Sequence, residues 1–429
     1  MIMIRGDALY KQFIAILEEE LRPAMGCTEP IALAYAGAKA RAILGALPDK
    51  IDVLVSGNII KNVKSVVVPN TGGLRGIAAA VCAGVVAGDA DKILEVIASV
   101  PKEKQAQLKE YLGNVEINIS PSTSELVFDI DLTLYAGADQ ARVRIVNHHT
   151  NIVHMSRNEE ILLELPIEES SEDNLTDKTC LTIERIVEFA DVLDPEDVRS
   201  SIGRQVQYNL AIASEGLKGN WGANIGSVIL NQQGDSNNRK AAAWAAAGSD
   251  ARMSGCEMPV IILSGSGNQG ITASVPVAVY AQAFGATEAE MLRAVAVSDL
   301  ITVHQKTGIG RLSAYCGAIS AGVGAGAGIA YLHGGRHEAV AHTVVNAVAI
   351  LSGTICDGAK PSCAAKIAAA VDAGILGYNM YLENQQFLGG DGIVTKGADK
   401  TVSNVGRLAR EGMRQTDRTI LEIMLSDGC

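Results

Sequence analysis

Large rings are scarce in this chain. Phe, Tyr and Trp make up only 4% of its 429 residues, whereas 44 are Gly and apolar residues as a group reach 48%. A core with so few rings has to be filled by small residues, which implies helices that approach one another closely. Basic runs are missing too, and the net charge is −12, which argues against a nucleic-acid partner. No Cys-x-x-Cys pair occurs, so zinc-ribbon and thioredoxin-type readings fail. No apolar run is long enough to span a bilayer comfortably. The best candidate, residues 316–332, is uncharged but short and dominated by Gly and Ala, and it reads as a buried helix. At the N-terminus a charge, Arg5, follows at once and no small-residue cleavage site ends an apolar stretch, so a secretory leader is not expected. Eight cysteines without such a leader suit a reducing cytoplasm, where Cys serves metals, catalysis or packing. No repeat of fixed period and no low-complexity tract appears.

What is present divides into two regions. Leu9, Phe13, Ile14, Ile16, Leu17 and Leu21 predict a helix over 8–22, ended by Pro23. A second, Ala-rich helix is expected over 30–47, with Pro30 in its first turn. Cys27 would then stand at a helix N-terminus, where the dipole favours a thiolate; a buried Cys in a tight turn satisfies the same pattern. Residues 51–56 and 65–68 read as strands joined by a turn at Gly57-Asn58. The Gly-bearing loop 69–76 precedes an apolar helix, and its amides suit an anion or simply a structural turn. Alternation over 115–119, 126–134 and 141–146 predicts a half-exposed antiparallel sheet. The acidic stretch 168–177 reads as a linker. It sets the expected division into a mixed α/β domain, 1–175, and a helical domain, 176–429. The fold class expected is α+β, with a small antiparallel sheet and helices in the N-terminal half and an all-helical, Ala- and Gly-rich C-terminal half.

Gly265-Ser266-Gly267-Asn268-Gln269-Gly270 matches the dinucleotide-binding fingerprint and follows a strand-like run. No second parallel strand and no acidic strand end follow it, so the dinucleotide reading fails. A polar loop lining a pocket, with the Asn268 and Gln269 amides as hydrogen-bonding groups, fits better.

Cys356 and Cys363 lie seven positions apart in a Gly- and Pro-bearing loop, and Cys316 stands forty positions before Cys356. Three thiols around one loop can hold a metal cluster, or can pack as small apolar side chains. If they hold a 4Fe–4S cluster, three ligands leave one iron open, and an open iron is a Lewis acid suited to elimination.

The stretches Gly26-Cys27-Thr28-Glu29-Pro30, Gly265 to Gly270, Tyr315-Cys316-Gly317 and the loop between Cys356 and Cys363 resemble the motifs of the L-cysteine desulfidase family. That family is related to the alpha chain of iron–sulfur L-serine dehydratases, and the similarity runs over nearly the whole chain. The resemblance implies a pyridoxal-phosphate-independent lyase that removes hydrogen sulfide from L-cysteine, or water from L-serine, to give pyruvate and ammonia. It implies Cys316, Cys356 and Cys363 as ligands of a 4Fe–4S cluster and Cys27 as the base for the α-proton. Cys429, the last residue, is a candidate fourth ligand on the same analogy. Chemistry adds Asn70, Thr71, Gly72, Asn268, Lys306 and Arg311 as candidates for the substrate carboxylate, and assigns Cys82, Cys180 and Cys256 to structure. The partners expected are a small amino acid and, as a candidate, a second copy of the chain; no membrane is expected. The rival reading is a non-catalytic, cysteine-responsive or iron–sulfur-sensing binding protein, which has no need of a poised Cys27 thiolate.

Overall fold

Local sequence signals set the ends of most elements. A computed structural model describes residues 3–25, 28–98, 100–124, 126–167, 176–232, 236–310 and 313–426. Helix α1 (Ala8–Glu20) is capped by Asp7, whose carboxylate accepts from the Tyr10 amide at 2.7 Å. Then come β1 (Arg22–Met25), α2 (Thr28–Leu44), β2 (Lys50–Val55), α3 (Gly57–Val63), α4 (Gly76–Ala87) and α5 (Lys102–Asn114). The strands β3 (Glu116–Pro121), β4 (Asp129–Ala136), β5 (Asp139–Val146), β6 (Ile152–Arg157) and β7 (Glu160–Glu164) complete the first half.

The second half is helical: α6 (Ile183–Val192), α7 (Arg204–Lys218), α8 (Ile225–Leu230) and α9 (Asn237–Met253), then the short strand β8 (Pro259–Ile262). After it come α10 (Gly267–Phe284), α11 (Glu288–Ile309), α12 (Gly317–Leu332), α13 (His337–Leu351), α14 (Cys363–Leu382), α15 (Ala398–Arg407) and α16 (Arg414–Ser426). The α+β class is therefore the one observed. No helix among the described residues is long and apolar enough to cross a membrane.

The main sheet has the order β3-β2-β4-β5-β6-β7. Ile51, Val53 and Val55 of β2, Ile130, Leu132 and Leu134 of β4, and Val143 and Ile145 of β5 are buried in one core with α2 and α4. All its pairings are antiparallel except β2 with β3, which is parallel. The expected purely antiparallel sheet is corrected there. The chain between β2 and β3 passes through three helices, and a parallel neighbour needs such a crossover.

The expected strand–turn–strand over 51–68 is also corrected. Its second part is α3, with Ser56 extended before it, and Val67 makes only an isolated bridge with Arg75. Ile59, Ile60 and Val63 are all buried, so helical spacing rather than alternation governs the stretch. A π turn at Leu408–Gly412 separates α15 from α16.

Two hydrophobic cores result, and each terminus crosses between them. Residues between Ile31 and Ile145 make one core, with Leu421 and Leu425 of α16 packed against it. The other runs from Cys180 to Ile420 but also takes in α1, where the Phe13 ring lies 5.0 Å from that of Phe189. The residues 168–175 of the expected linker lie outside the described ones.

Close helix approach replaces aromatic filling, as the composition requires. A Cβ on Gly84 of α4 would lie 1.9 Å from the Ala34 carbonyl oxygen of α2. One on Gly326 of α12 would lie 2.3 Å from that of Gly374 in α14.

Candidate active site

The ribbon of β1 with β8 joins the halves at the site. Its antiparallel register sets Met25 against Pro259 and Arg22 against Ile262. The start of α2 and the loop after β8 are thereby tied to one region. Pro23 lacks an N–H and is tolerated in so short a ribbon.

The cysteine wall is built by backbone bonds. Tyr315 and Ile355 form an isolated bridge. The Cys316 amide donates to the Thr354 carbonyl at 3.0 Å and the Cys356 amide to the Ala314 carbonyl at 2.6 Å. Those bonds set Cys316 beside Cys356. Cys363 opens α14, and its thiol points at the Gly358 carbonyl, 3.6 Å away. Gly358 has φ +95°, and a Cβ there would lie 1.9 Å from the Lys61 carbonyl oxygen, so only Gly fits the turn. Under the loop, Asp357 pairs with Lys360 and with Lys366, the latter at 2.5 Å.

All three thiols line one cavity of about 120 Å³. Glu29 and Lys61 come to it from the first half, and Arg252, Asn268, Gln269 and Lys306 from the second. Lys61 is 3% exposed and pairs with Asp417 of α16 at 2.5 Å. Glu29 accepts from the Asn62 amide at 3.3 Å, and Asn268 accepts from Arg252 at 3.2 Å. Ser264, before the Gly-rich loop, holds φ +47°, a conformation unusual for a non-Gly residue.

Burial pushes the Cys316 thiol up to about 12, with the neighbouring sulfurs of Cys356 and Cys363 acting the same way, and it raises Cys363 too. Burial pulls against the Lys366 ammonium, but Asp357 and the sulfurs of Cys316 and Cys363 hold it above the ordinary lysine value. Thiols so placed become thiolates only when a ligand brings positive charge. No three His, Cys, Asp or Glu side chains among the described residues are grouped to hold a single metal ion. Three thiols lining one cavity are soft sulfur donors of the kind that iron–sulfur clusters take. The donor set therefore fits such a group.

Of the residues singled out from sequence, the structure brings Cys316, Cys356, Cys363, Asn268 and Lys306 together. Asn70, Thr71 and Gly72 do not line this cavity. The Asn70 amide donates to the Ile97 carbonyl at 2.9 Å, the Thr71 hydroxyl to that of Val68 at 2.7 Å, and Gly72 supplies a positive φ of 72°. They build a turn. Cys27, Arg311 and Cys429 lie outside the described residues. Cys82, Cys180 and Cys256 are buried. His304 pairs with Asp399 at 2.8 Å. The dinucleotide reading stays excluded: β8 pairs only with β1 among the described strands. Sequence reasoning missed Lys61 and Arg252. Lys61 is the one charge of the short helix α3, and Arg252 follows the Ala-rich run of α9; charges seldom sit so deep without a purpose, which is the signal that could have found them.

A family model described as the serine dehydratase alpha chain matches residues 91–422. The chain is 56% identical to a UPF0597 protein of Desulfitobacterium hafniense, over 99% of each. It is 47% identical to one of Lachnoclostridium phytofermentans, over 97% of this chain and all of the relative. It is 45% identical to one of Treponema denticola, over 97% and 98%.

Proposed function

We propose that this chain, which belongs to the serine dehydratase alpha-chain family, is a pyridoxal-phosphate-independent lyase. It would remove hydrogen sulfide from L-cysteine, or water from L-serine, and yield pyruvate and ammonia. The observation that carries this reading is the convergence of Cys316, Cys356 and Cys363 on one cavity that also carries cationic, carboxylate and amide side chains.

Cys316, Cys356 and Cys363 would hold a 4Fe–4S cluster, with Cys429 the candidate fourth ligand. Bound there, the cluster would supply Lewis acidity toward the leaving group. The cations Arg252 and Lys306 would take the substrate carboxylate, and Glu29 its ammonium. The amides of Asn268 and Gln269 would fix its orientation. Cys27, next to the start of α2, would accept the α-proton, its thiolate favoured by the helix N-terminus. Departure of the β-substituent leaves aminoacrylate, which tautomerises and hydrolyses in water unaided. Cytoplasmic placement and assembly with a second copy belong to the same reading.

The experiment is anaerobic reconstitution with iron and sulfide, followed by parallel assays of L-cysteine and L-serine for pyruvate and for sulfide. Iron-dependent turnover of either supports the reading, and the faster substrate names the leaving group. A protein that takes up about four irons and turns over neither supports a sensor. One that binds no iron leaves three packed cysteines and ends the cluster hypothesis.

A further inference from the structure

A carboxyl joined through Gln205 to the first turn of α10, which carries Asn268 and Gln269, is not used by the proposed reaction. Asp299 of α11 and Gln205 of α7 are both 0% exposed. The Gln205 amide nitrogen donates to Asp299 Oδ1 at 2.9 Å and reaches the Gly270 carbonyl at 3.4 Å. The other oxygen of each partner, Asp299 Oδ2 and Gln205 Oε1, is buried with no hydrogen-bond partner among the described residues. A buried acceptor left unmatched is costly, and here there are two on side chains already joined by one bond.

We propose that Asp299 is a neutral carboxylic acid in the folded protein, donating its proton from Oδ2 to Gln205 Oε1. The acid and the amide then form a closed pair with two hydrogen bonds, and both orphan oxygens are satisfied by one proton. An ionised Asp299 would leave a buried charge without a cation. Helices α10 and α12, which pack against α11, carry no charged residue at all. Arg204 precedes Gln205 in α7 and projects about 100° away around the helix. Several other charges on the elements around α11 are engaged elsewhere. Asp191 of α6 bonds to Tyr331, Arg199 pairs with Glu196 and Glu288, and Asp399 of α15 pairs with His304. Arg293 of α11 itself donates to the Leu193 carbonyl. Burial accordingly pushes the Asp299 carboxyl up to about 8, against the weaker pull of the Gln205 bond.

The pair matters to the cavity through Gly270. Its carbonyl accepts from Gln205 and, at 2.7 Å, from Ser274, so the first turn of α10 is anchored from α7. The two residues before Gly270 are the cavity residues Asn268 and Gln269. Asp299 is thus a positioning residue that acts through Gln205.

The test compares thermal unfolding of the wild type with Asp299→Asn between about pH 5 and about pH 9, a range that brackets the folded value. Asn keeps both bonds, because its amide N–H replaces the acid proton. Unfolded Asp ionises near pH 3.9 and folded Asp299 near 8, so between these values the unfolded state binds fewer protons. Wild-type stability must then fall as pH rises. The expected result is a wild-type melting temperature that drops relative to the variant up to about pH 8 and runs parallel above it. A constant offset throughout overturns the proposal, since Asp299 would be ionised in the folded protein. Should the variant not fold, infrared spectroscopy of the wild type decides. A protonated-carboxyl band present at about pH 7 and lost as the pH passes about 8 supports the pair, and absence of that band at about pH 7 overturns it. Melting that rises with potassium but not with tetramethylammonium also overturns it, by placing a metal cation between the two oxygens.

Discussion

The two halves of the molecule treat buried polar groups in opposite ways. In the sheet half, buried carboxylates are paired with arginines. Asp129, 0% exposed, receives two bonds at 2.9 Å from Arg144 and further ones from Ser122 and Ser124, and Asp131 is held in the same bidentate way by Arg142. Burial works against the Asp129 charge, yet these donors hold it below the usual carboxylate value. In the helical half, Asp250 and Asp299 are buried without a cation and burial raises them to about 6 and about 8, while the Cys316 thiol rises to about 12. Among the described residues, the close-packed helices put no cation beside either carboxyl. The difference teaches where positive charge is wanting. The cavity lined by the three thiols belongs to this second half, whereas Asp129 and Asp131 of the first half are already matched by arginines.

Removing a thiol should have the largest effect. Cys363→Ala is expected to abolish iron retention after anaerobic reconstitution and to cut any pyruvate formation by about 10³-fold or more, the scale on which an essential group is lost. The fold should survive, because a half-buried thiol becomes a methyl group of similar polarity. Iron and sulfide analysis beside circular dichroism separates the two results. Loss of structure instead would mean that the cysteines hold the core together.

Breaking the charge balance of the sheet half comes next. Arg144→Met strands Asp129 in the interior, and the expected cost is about 3 kcal/mol in urea unfolding. The sign with pH follows from the lowered folded value. Asp129 contributes stability above its unfolded value of 3.8, and that contribution is lost as pH falls through the folded one. The variant should therefore lose most of its deficit in strong acid. A deficit that does not change with pH would show that Arg144 acts by packing alone.

A smaller effect, about 1–3 kcal/mol, is expected from Gly326→Ala, which drives a methyl into the Gly374 carbonyl and forces α12 from α14. Both helices start at the cavity, with Cys316 just before α12 and Cys363 opening α14. The substitution should thus weaken iron retention as well as stability. Gly84→Ala, with a still tighter approach in the first half, should lower stability and leave iron retention alone. Unfolding and iron content of the two variants side by side check the contrast.

Much of this contrast was legible in the sequence, in proportion to how local its causes are. The uncharged run after Cys316 could only be a buried small-residue helix, and the alternation at 126–146 could only be strands with one buried face. The three thiols were visible as a set, because cysteines are few and their loop is marked by Gly358 and Pro361. The β1–β8 ribbon was not legible. Four residues carry no periodicity, and the pairing joins segments far apart in the chain. Nor was α3, where Gly57-Asn58 mimics a hairpin turn while Ile59, Ile60 and Val63 obey helical spacing. The 69–76 loop left an anion cradle and a structural turn both open, because amide-rich turns and anion sites share one composition. Only the fold shows that the Asn70 and Thr71 side chains are spent on backbone carbonyls.

Asp250→Asn tests the neutral side of the comparison at its smallest expected size. Asp250 Oδ2 accepts from the Gly226 amide at 3.0 Å, while Oδ1 is buried with no partner among the described residues. Asn can keep the accepted bond. The unfolded carboxyl ionises near 3.8 and the folded one near 6, so wild-type stability relative to the variant should fall as pH rises from about 4 to about 6 and stay level above. The gain of the variant at about pH 7 is expected at about 1–2 kcal/mol, a discounted reading of about one to two pH units at about 1.36 kcal/mol each. Its pH slope is the reverse of that contributed by Asp129. Titrating wild type, Arg144→Met and Asp250→Asn together would show acid first adding stability at Asp250, as pH falls from about 6 to about 4, and then removing it at Asp129 below 3.8. A variant that is less stable than wild type at neutral pH would mean that the Asp250 charge is compensated in the folded protein, and the division between a paired half and a neutral half would fail at that residue.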